Sequence, residues 1–179
     1  MTDIAVVTGA AGALGAEVAR TLARRGCKLV LLDSARGHDR LAALAASLGG
    51  GLVVAGDLLD DTTWTEALAR SQRELGALPT LAALIAGAWR GGKPLHEEKD
   101  DDVSGAMWSA NVETVNRSLR ALLPGMVAAR RGSVVAVGSR AAVQPWTSAG
   151  SAAYAASKAA VVALAQAVAA EVQIGRAHV

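Results

Sequence analysis

The chain has 179 residues, the size of one ordinary domain, and its 52% hydrophobic content excludes a disordered protein. Charge is nearly balanced, with 18 basic and 16 acidic residues, and no basic run indicates nucleic-acid binding. The single cysteine excludes an internal disulfide, and the three histidines are too scattered to indicate a metal site. The N-terminus lacks a signal-peptide pattern, and the longest apolar stretch, Ala159 to Ala170, is too short to span a bilayer. We therefore expect a cytoplasmic protein without metal, nucleic-acid or membrane partners.

Short apolar stretches alternate with helical patterns along the chain. Strands are predicted at Ile4–Thr8, Lys28–Leu32, Leu52–Ala55, Leu81–Ala86 and Ser133–Val137, and helices at Ala16–Arg25, Arg40–Leu48, Thr62–Leu75, Val103–Arg130 and Ala152–Ile174. Short β-branched apolar runs are typical of parallel strands that are buried on both faces. Because strands and helices alternate with short connections, the sequence predicts an α/β fold with a doubly wound parallel sheet.

A glycine-rich segment, Thr8-Gly9-Ala10-Ala11-Gly12-Ala13-Leu14-Gly15, joins the first predicted strand to the first helix. Glycines in such a turn let the backbone approach a pyrophosphate, whose charge is met by N–H groups at the helix N-terminus. A plain strand-to-helix turn is the alternative interpretation. The position after the first strand, with an acidic residue at the end of the second, favours a dinucleotide site. We assign to it Thr8, Gly9, Gly12, Ala13, Leu14 and Gly15.

Two aspartates follow the next strands. Asp33 lies 18 residues after Gly15, where a carboxylate bonds the adenosine ribose and repels a 2′-phosphate, which favours NAD(H) over NADP(H). The alternative is an aspartate that caps a helix. Asp57, just after the third strand, either bonds the adenine edge or is a solvated loop acid. The predicted cofactor site is completed by Leu58, Ala86 and Gly87.

Tyr154, the only tyrosine, precedes Lys158 by four residues in the last predicted helix. That spacing puts the phenol and the ammonium on one helix face, where the ammonium would stabilise the phenolate. Such a tyrosine can give a proton to a carbonyl oxygen or take one from an alcohol. The same spacing also occurs on many inert helix surfaces. Ser139, at the carboxyl end of the fifth strand, lies 15 residues before Tyr154. Parallel sheets bind ligands at such strand ends, which favours a catalytic role for the pair.

Taken together, TGAAGALG, Asn111, Ser139 and Tyr154-Ala-Ala-Ser-Lys158 resemble the short-chain dehydrogenase/reductase family over most of the chain. The resemblance implies a Rossmann-like fold and an NAD(P)-dependent oxidoreductase that acts on a carbonyl/alcohol pair without a metal. It implies that Tyr154 is the general acid/base, that Lys158 binds the nicotinamide ribose and activates the tyrosine, and that Ser139 hydrogen-bonds the substrate oxygen. Asn111 would hold a helix kink and a water of a proton relay. Members of the family are usually homo-oligomers.

Two departures from the common family motifs lie near the cofactor site. Position 13 is Ala where TGxxxGxG has glycine, and the usual NNAG is Leu84-Ile85-Ala86-Gly87, without the asparagines that brace the sheet. Both are similar to the dihydropteridine reductase branch, which commonly lacks the serine that is present here at position 139. Reduction of a dihydropterin or similar cyclic imine is therefore the alternative enzyme activity. A non-catalytic dinucleotide-binding sensor or scaffold is the alternative outside enzymes.

The C-terminal part of the chain is shorter than the resemblance implies. The family domain continues past the Tyr154 helix with a sixth strand, a lid over the substrate and a seventh strand. One back-translation of Ile174–Val179 resembles read-through into a sequencing adapter. We therefore expect residues 1–173 to form one truncated cofactor-binding domain, and residues 174–179 to be a sequencing or cloning artefact. Such a fragment is expected to bind cofactor weakly and to be inactive.

Overall fold

A five-stranded parallel sheet forms the centre of the computed structural model, which describes residues 2–99 and 102–172. The strands are β1 (Ile4–Thr8), β2 (Lys28–Asp33), β3 (Leu52–Ala55), β4 (Leu81–Leu84) and β5 (Ser133–Ala136). Their order is β3-β2-β1-β4-β5, and Val6 of β1 pairs with Val30 on one side and Ala82 on the other. The strand order therefore reverses between β1 and β4, which is where doubly wound sheets bind ligands.

Helices cover both faces of this sheet. They are α1 (Ala13–Arg24), α2 (His38–Ser47), α3 (Asp61–Arg70), α4 (Asp102–Met107), α5 (Thr114–Ala128), α6 (Arg140–Val143) and α7 (Ala152–Val172). Residues of α1 and α2 pack on one face, and residues of α3, α5 and α7 pack on the other. The predicted doubly wound α/β fold is confirmed.

The alternation of side chains along β1 explains why two apolar layers are needed. Ile4 and Val6 belong to the core cluster with α3, α5 and α7, whereas Ala5 and Val7 belong to the cluster with α1 and α2. All four are buried. Burial of a Val or Ile side chain contributes about 1.5–3 kcal/mol, so covering both faces of the central strand is a major source of stability.

Three predicted strands and the first helix have different ends in the structure. β4 ends at Leu84 rather than Ala86, because the next two N–H groups donate to the side chain of Thr8 instead of continuing the ladder. β5 ends at Ala136 rather than Val137, whose carbonyl accepts a hydrogen bond from Lys158. β2 extends by one residue, to Asp33. α1 begins three residues earlier than predicted, because Gly12 already occupies the N-cap position.

The predicted long helices are interrupted. The Thr62–Leu75 helix is α3 followed by a π-helical turn at Ser71–Leu75, and the Val103–Arg130 helix is α4, a π-helical turn at Trp108–Glu113, and α5. α5 ends at Ala128 because Arg130 is left-handed (φ 51°), a conformation that stops a helix. Apolar periodicity does not distinguish a π-helical turn from an α-helix. α2 spans His38–Ser47 instead of Arg40–Leu48, and α6 is too short for a periodic pattern to predict.

The sequence predicts no membrane span, because the apolar stretch from Ala159 to Ala170 is short. The helix that contains this stretch is longer. α7 has 21 residues and is long and apolar enough, by length and composition, to cross a bilayer. Here it packs on the same face of the sheet as α3 and α5. Lys158 is buried, and Val161 belongs to the core. Residues 173–179 lie outside the described residues. The predicted end of the domain at residue 173 and the predicted artefact at residues 174–179 therefore lie outside them as well.

Candidate functional site

A cleft of about 450 Å³ opens at the carboxyl ends of β2, β3 and β4, at the reversal of strand order. Its lining includes five predicted cofactor-site residues, namely Asp33, Asp57, Leu58, Ala86 and Gly87. It also includes residues that the sequence analysis did not single out, among them Arg36, Ala110 and Thr114. Ala110 and Thr114 lie within one helical turn of Asn111. Their spacing from Asn111 is the sequence signal that could have predicted them at the cleft.

The glycine-rich loop brings the start of α1 against its own turn. The N–H of Gly12 donates to the carbonyl of Gly9 over 3.0 Å. A Cβ on Gly15 would overlap that same Gly9 carbonyl, so only glycine permits this packing. The first N–H groups of a helix lack partners within it, and here Ala13 and Leu14 open the 12-residue α1. The loop therefore presents donors and the positive end of a helix dipole, an arrangement that fits a pyrophosphate.

The carboxylate of Asp33 is fixed by two backbone donors. Its Oδ2 accepts the N–H of Ala11 in the glycine-rich loop over 2.9 Å, and its Oδ1 accepts the N–H of Ser34 over 2.8 Å. The short 3₁₀ turn that follows has no side-chain cap, so the helix-capping interpretation of Asp33 is wrong. Arg36 lines the same cleft, and a cation at this position is what a 2′-phosphate requires.

Asp57 and Leu58, which follow β3 after Gly56, differ in exposure. Asp57 is exposed, and its Oδ1 accepts the N–H of Leu59 over 2.9 Å, which leaves its carboxylate at the cleft edge. Leu58 is buried in the core, and its carbonyl accepts the indole N–H of Trp64 over 3.1 Å. The side chain of Leu58 therefore packs mainly inside the domain, although the residue borders the cleft.

Thr8 connects the glycine-rich loop to the segment after β4. Its Oγ1 accepts the N–H of Ile85 over 3.0 Å and the N–H of Ala86 over 3.1 Å. The side chain is only 1% exposed, so its role is to brace the neighbouring loop rather than to reach into the cleft. The segment that lacks the usual asparagines is therefore held to β1 by this threonine.

Asn111 joins the segment after β4 to α7. It lies in the π-helical turn and is fully buried. Its Nδ2 donates to the carbonyl of Ala88 and to Oγ of Ser157, each over 3.0 Å, and its Oδ1 accepts the N–H of Ala88 over 3.0 Å. The expected helix irregularity therefore lies at Asn111. Ser157 was missed, because a spacing of 46 residues carries no local signal.

Lys158 and Asn111 converge on Gly87. The Lys158 side chain is buried, and its Nζ donates to the carbonyl of Val137 over 2.9 Å. Burial lowers the pKa of Lys158, because the charged ammonium is moved out of water. A Cβ on Gly87 would lie 3.4 Å from Lys158 Nζ and 2.6 Å from Asn111 Oδ1. The cation therefore lies at the Gly87 end of the cleft.

Two hydroxyl groups lie on the elements around this cation. Tyr154 is half-buried one turn before Lys158, and its phenol makes no hydrogen bond to any residue in the described ranges. Ser139 caps α6, where its Oγ accepts the N–H of Ala141 over 3.1 Å and keeps its own hydrogen to donate. α6 packs against α7. Between residues 2 and 172, as far as they are described, no hydrogen bond links Ser139 to Tyr154 or Lys158.

Comparison with known proteins gives relatives along nearly the whole chain. The family model of short chain dehydrogenases matches residues 3–178. The 2,3-dihydro-2,3-dihydroxybenzoate dehydrogenase of Bacillus subtilis is 37% identical over 163 residues, which cover 89% of this chain and 60% of that protein. The 2,5-dichloro-2,5-cyclohexadiene-1,4-diol dehydrogenase LinX of Sphingobium indicum is 30% identical over 170 residues, covering 94% and 66%. The chain thus spans less than two thirds of the length of these curated relatives.

Solved structures share this fold. The KRED1-Pglu enzyme superposes with a TM-score of 0.87 at 28% identity, covering 98% of this chain and 72% of that one. L-sorbose reductase from Gluconobacter frateurii, in complex with NADPH and L-sorbose, superposes with a TM-score of 0.84 at 27% identity, covering 96% and 65%. With the family match over residues 3–178, these findings establish that the chain belongs to the short-chain dehydrogenase family.

Proposed function

We propose that this chain is the cofactor-binding and catalytic part of a cytoplasmic NAD(H)-dependent oxidoreductase that interconverts an alcohol and a carbonyl compound. The observation that carries the proposal is the buried amine of Lys158, which lies beside Gly87 at the end of the cleft and one helical turn after Tyr154. The names of the two curated relatives, dehydrogenases of a dihydroxy compound and of a diol, support an alcohol as the substrate.

The described residues fit a dinucleotide along the cleft. The N–H groups at the start of α1 would meet the pyrophosphate, and the carboxylate of Asp33 would accept hydrogen bonds from the adenosine ribose. Gly87 leaves space beside Lys158 for the nicotinamide ribose, because any side chain at that position would run into Asn111. A nicotinamide group bound there would supply or accept the hydride.

We assign the acid–base steps to Tyr154, Lys158 and Ser139. Tyr154 would give its phenol proton to the carbonyl oxygen of the substrate, or take the proton of an alcohol in the reverse direction. The Lys158 ammonium would stabilise the phenolate that remains, since opposite charges attract strongly in a partly buried site. Ser139 would donate its free hydrogen to the same substrate oxygen. Both hydrogens of the Asn111 side-chain amide are donated, to Ala88 and Ser157, and its Oδ1 accepts the N–H of Ala88, so the side chain holds the loop and α7 together. The water of a proton relay that the family resemblance implies at Asn111 stays a prediction.

The preference between the two dinucleotides depends on two opposite charges at one edge of the cleft. Asp33 disfavours a 2′-phosphate, whereas Arg36 would attract it. We assign NAD(H) because the carboxylate is held in place by two backbone donors, whereas Arg36 is an exposed side chain. By resemblance to the family, we also propose that the full-length protein is a homo-oligomer.

Titration of the full-length protein with NADH and with NADPH, followed by nicotinamide fluorescence, tests this proposal. We expect the nicotinamide fluorescence to change when NADH is bound, and we expect NADH to bind more tightly than NADPH. Tighter binding of NADPH would reverse the cofactor assignment and leave the reaction class standing. If neither nucleotide binds to the folded protein, the oxidoreductase proposal is wrong.

A further inference from the structure

Two loops at the carboxyl ends of the strands meet at a group of glycines. The N–H of Gly92 donates to the carbonyl of Gly150 over 2.7 Å. A Cβ on Gly91 would lie 2.6 Å from the Gly150 carbonyl oxygen and 2.6 Å from Oγ of Ser151. Because one of these atoms belongs to the backbone, a larger residue at position 91 must displace the second loop. We call Gly91, Gly92 and Gly150 the glycine clasp.

The clasp lies directly before α7. Ser151 is the residue that precedes the helix, and its carbonyl accepts the N–H of Ala155 over 2.9 Å as the first bond of the helical turn. Tyr154 lies in this same turn. A displacement of Gly150 or Ser151 is therefore transmitted to the backbone that carries the phenol.

The loop after β4 is attached to α7 a second time, beyond Tyr154. Asn111 bonds both backbone groups of Ala88 and the hydroxyl of Ser157. The Ser157 hydroxyl in turn donates to the carbonyl of Tyr154 over 2.8 Å. Residues 88 to 92 are thus tied to the helix on both sides of the tyrosine, and these are the residues that directly follow Gly87 at the end of the cleft.

We propose that the glycine clasp is a positioning device, in which Gly91 fixes the phenol of Tyr154 relative to the Gly87 end of the cleft. The catalytic part of this inference rests on the proposed function, whereas the position of the phenol can be measured without it. Misplacement of a reacting group by about 1 Å can cost on the order of 100-fold in rate. Gly91 acts through Tyr154 and touches no reacting atom.

The test uses the single tyrosine of the chain. Biosynthetic replacement of tyrosine by 3-fluorotyrosine gives one ¹⁹F resonance, which reports the surroundings of residue 154. We expect Gly91→Ala to shift or split this resonance while the protein stays folded and its Kd for NADH is unchanged. In the full-length protein, kcat should fall by about 10- to 100-fold, with KM for the nicotinamide cofactor unchanged.

Gly105→Ala is the matched control, because a Cβ on Gly105 of α4 meets no atom within 4 Å. It should leave the ¹⁹F resonance and kcat at their wild-type values. The double variant Gly91→Ala/Ser151→Ala removes one of the two close contacts and should return the resonance part of the way. If Gly91→Ala folds too poorly for NMR, this double variant is measured in its place, since the overlap with the Gly150 carbonyl remains.

A wild-type resonance in Gly91→Ala, or in the double variant that replaces it, overturns the inference, whether or not turnover has changed. Failure of the proposed function gives a different result. In that case the wild-type protein does not bind NADH, or Tyr154→Phe keeps the wild-type rate, while the ¹⁹F resonance still responds to Gly91→Ala.

Discussion

The two ends of the cleft are built in different ways. At the glycine-rich end, the binding groups are backbone donors and one carboxylate, Asp33, held by N–H groups at 2.9 and 2.8 Å. At the tyrosine end, Asn111 joins partners that are 23 and 46 residues away in the chain, and Lys158 bonds a carbonyl 21 residues away. The first end presents mainly the backbone donors of one turn, with Asp33 added from 22 residues away, whereas the second is made of side chains that distant elements bring together. Substitutions should therefore separate nucleotide affinity from chemistry.

Tyr154→Phe gives the largest effect expected from this comparison. It removes the phenol hydroxyl and little else, since that group has no hydrogen-bond partner among the described residues. Loss of a general acid/base typically costs about 100- to 10,000-fold, so turnover in the full-length protein should fall by that factor. The Kd for NADH should stay unchanged in fluorescence titration. A variant that keeps the wild-type rate would show that the tyrosine end does not perform the chemistry.

Thr8→Val tests the brace that holds the two ends together. The substitution conserves volume but leaves the N–H groups of Ile85 and Ala86 without their acceptor. An unsatisfied buried donor costs about 1–3 kcal/mol, and we expect the free energy of unfolding in urea to fall by about 2 kcal/mol or more. Thr8→Ser is the control, because it keeps the Oγ acceptor. Equal stability of the two variants would mean that the brace contributes nothing.

The same contrast explains how much could be predicted from the sequence. β1 and β3 were predicted with their observed bounds, and Asp33 was predicted at the cleft, because apolar runs and a strand-to-helix turn are local patterns. The hydrogen bonds of Thr8 and Ser157 were not predicted, because a buried polar side chain carries no signal of its distant partner. Spacing put Tyr154 and Lys158 on one helix, but only the packed structure brings Lys158 beside Gly87. The catalytic roles of these residues stay predictions.

Asp33→Asn sharpens the comparison at the glycine-rich end. The amide keeps the size of the side chain and one acceptor oxygen for its two backbone donors, but it removes the negative charge. Two unit charges about 4 Å apart repel by about 1 kcal/mol even in water, so the preference for NADH over NADPH should fall by about fivefold or more. Arg36→Ala should change the same ratio of Kd values in the opposite direction. An unchanged ratio in both variants would show that neither charge meets the adenosine ribose.

The smallest expected effect is a change in the pH dependence of stability in Lys158→Met, which tests the burial of the cation. Because the pKa of Lys158 is lowered from 10.5 in the folded protein, the unfolded chain binds more protons between the folded value and 10.5. The free energy of unfolding of the protein with Lys158 should therefore increase as the pH rises through that window. The increase is complete once the pH passes 10.5. The methionine variant has no such group, so its stability relative to the lysine form should decrease over the same range. Urea unfolding from neutral to alkaline pH measures this, with both proteins in a Tyr154→Phe background to remove the phenol. A difference that stays constant with pH would show that the ammonium is as well solvated in the folded protein as in the unfolded chain, and the tyrosine end would then lack the buried cation that distinguishes it.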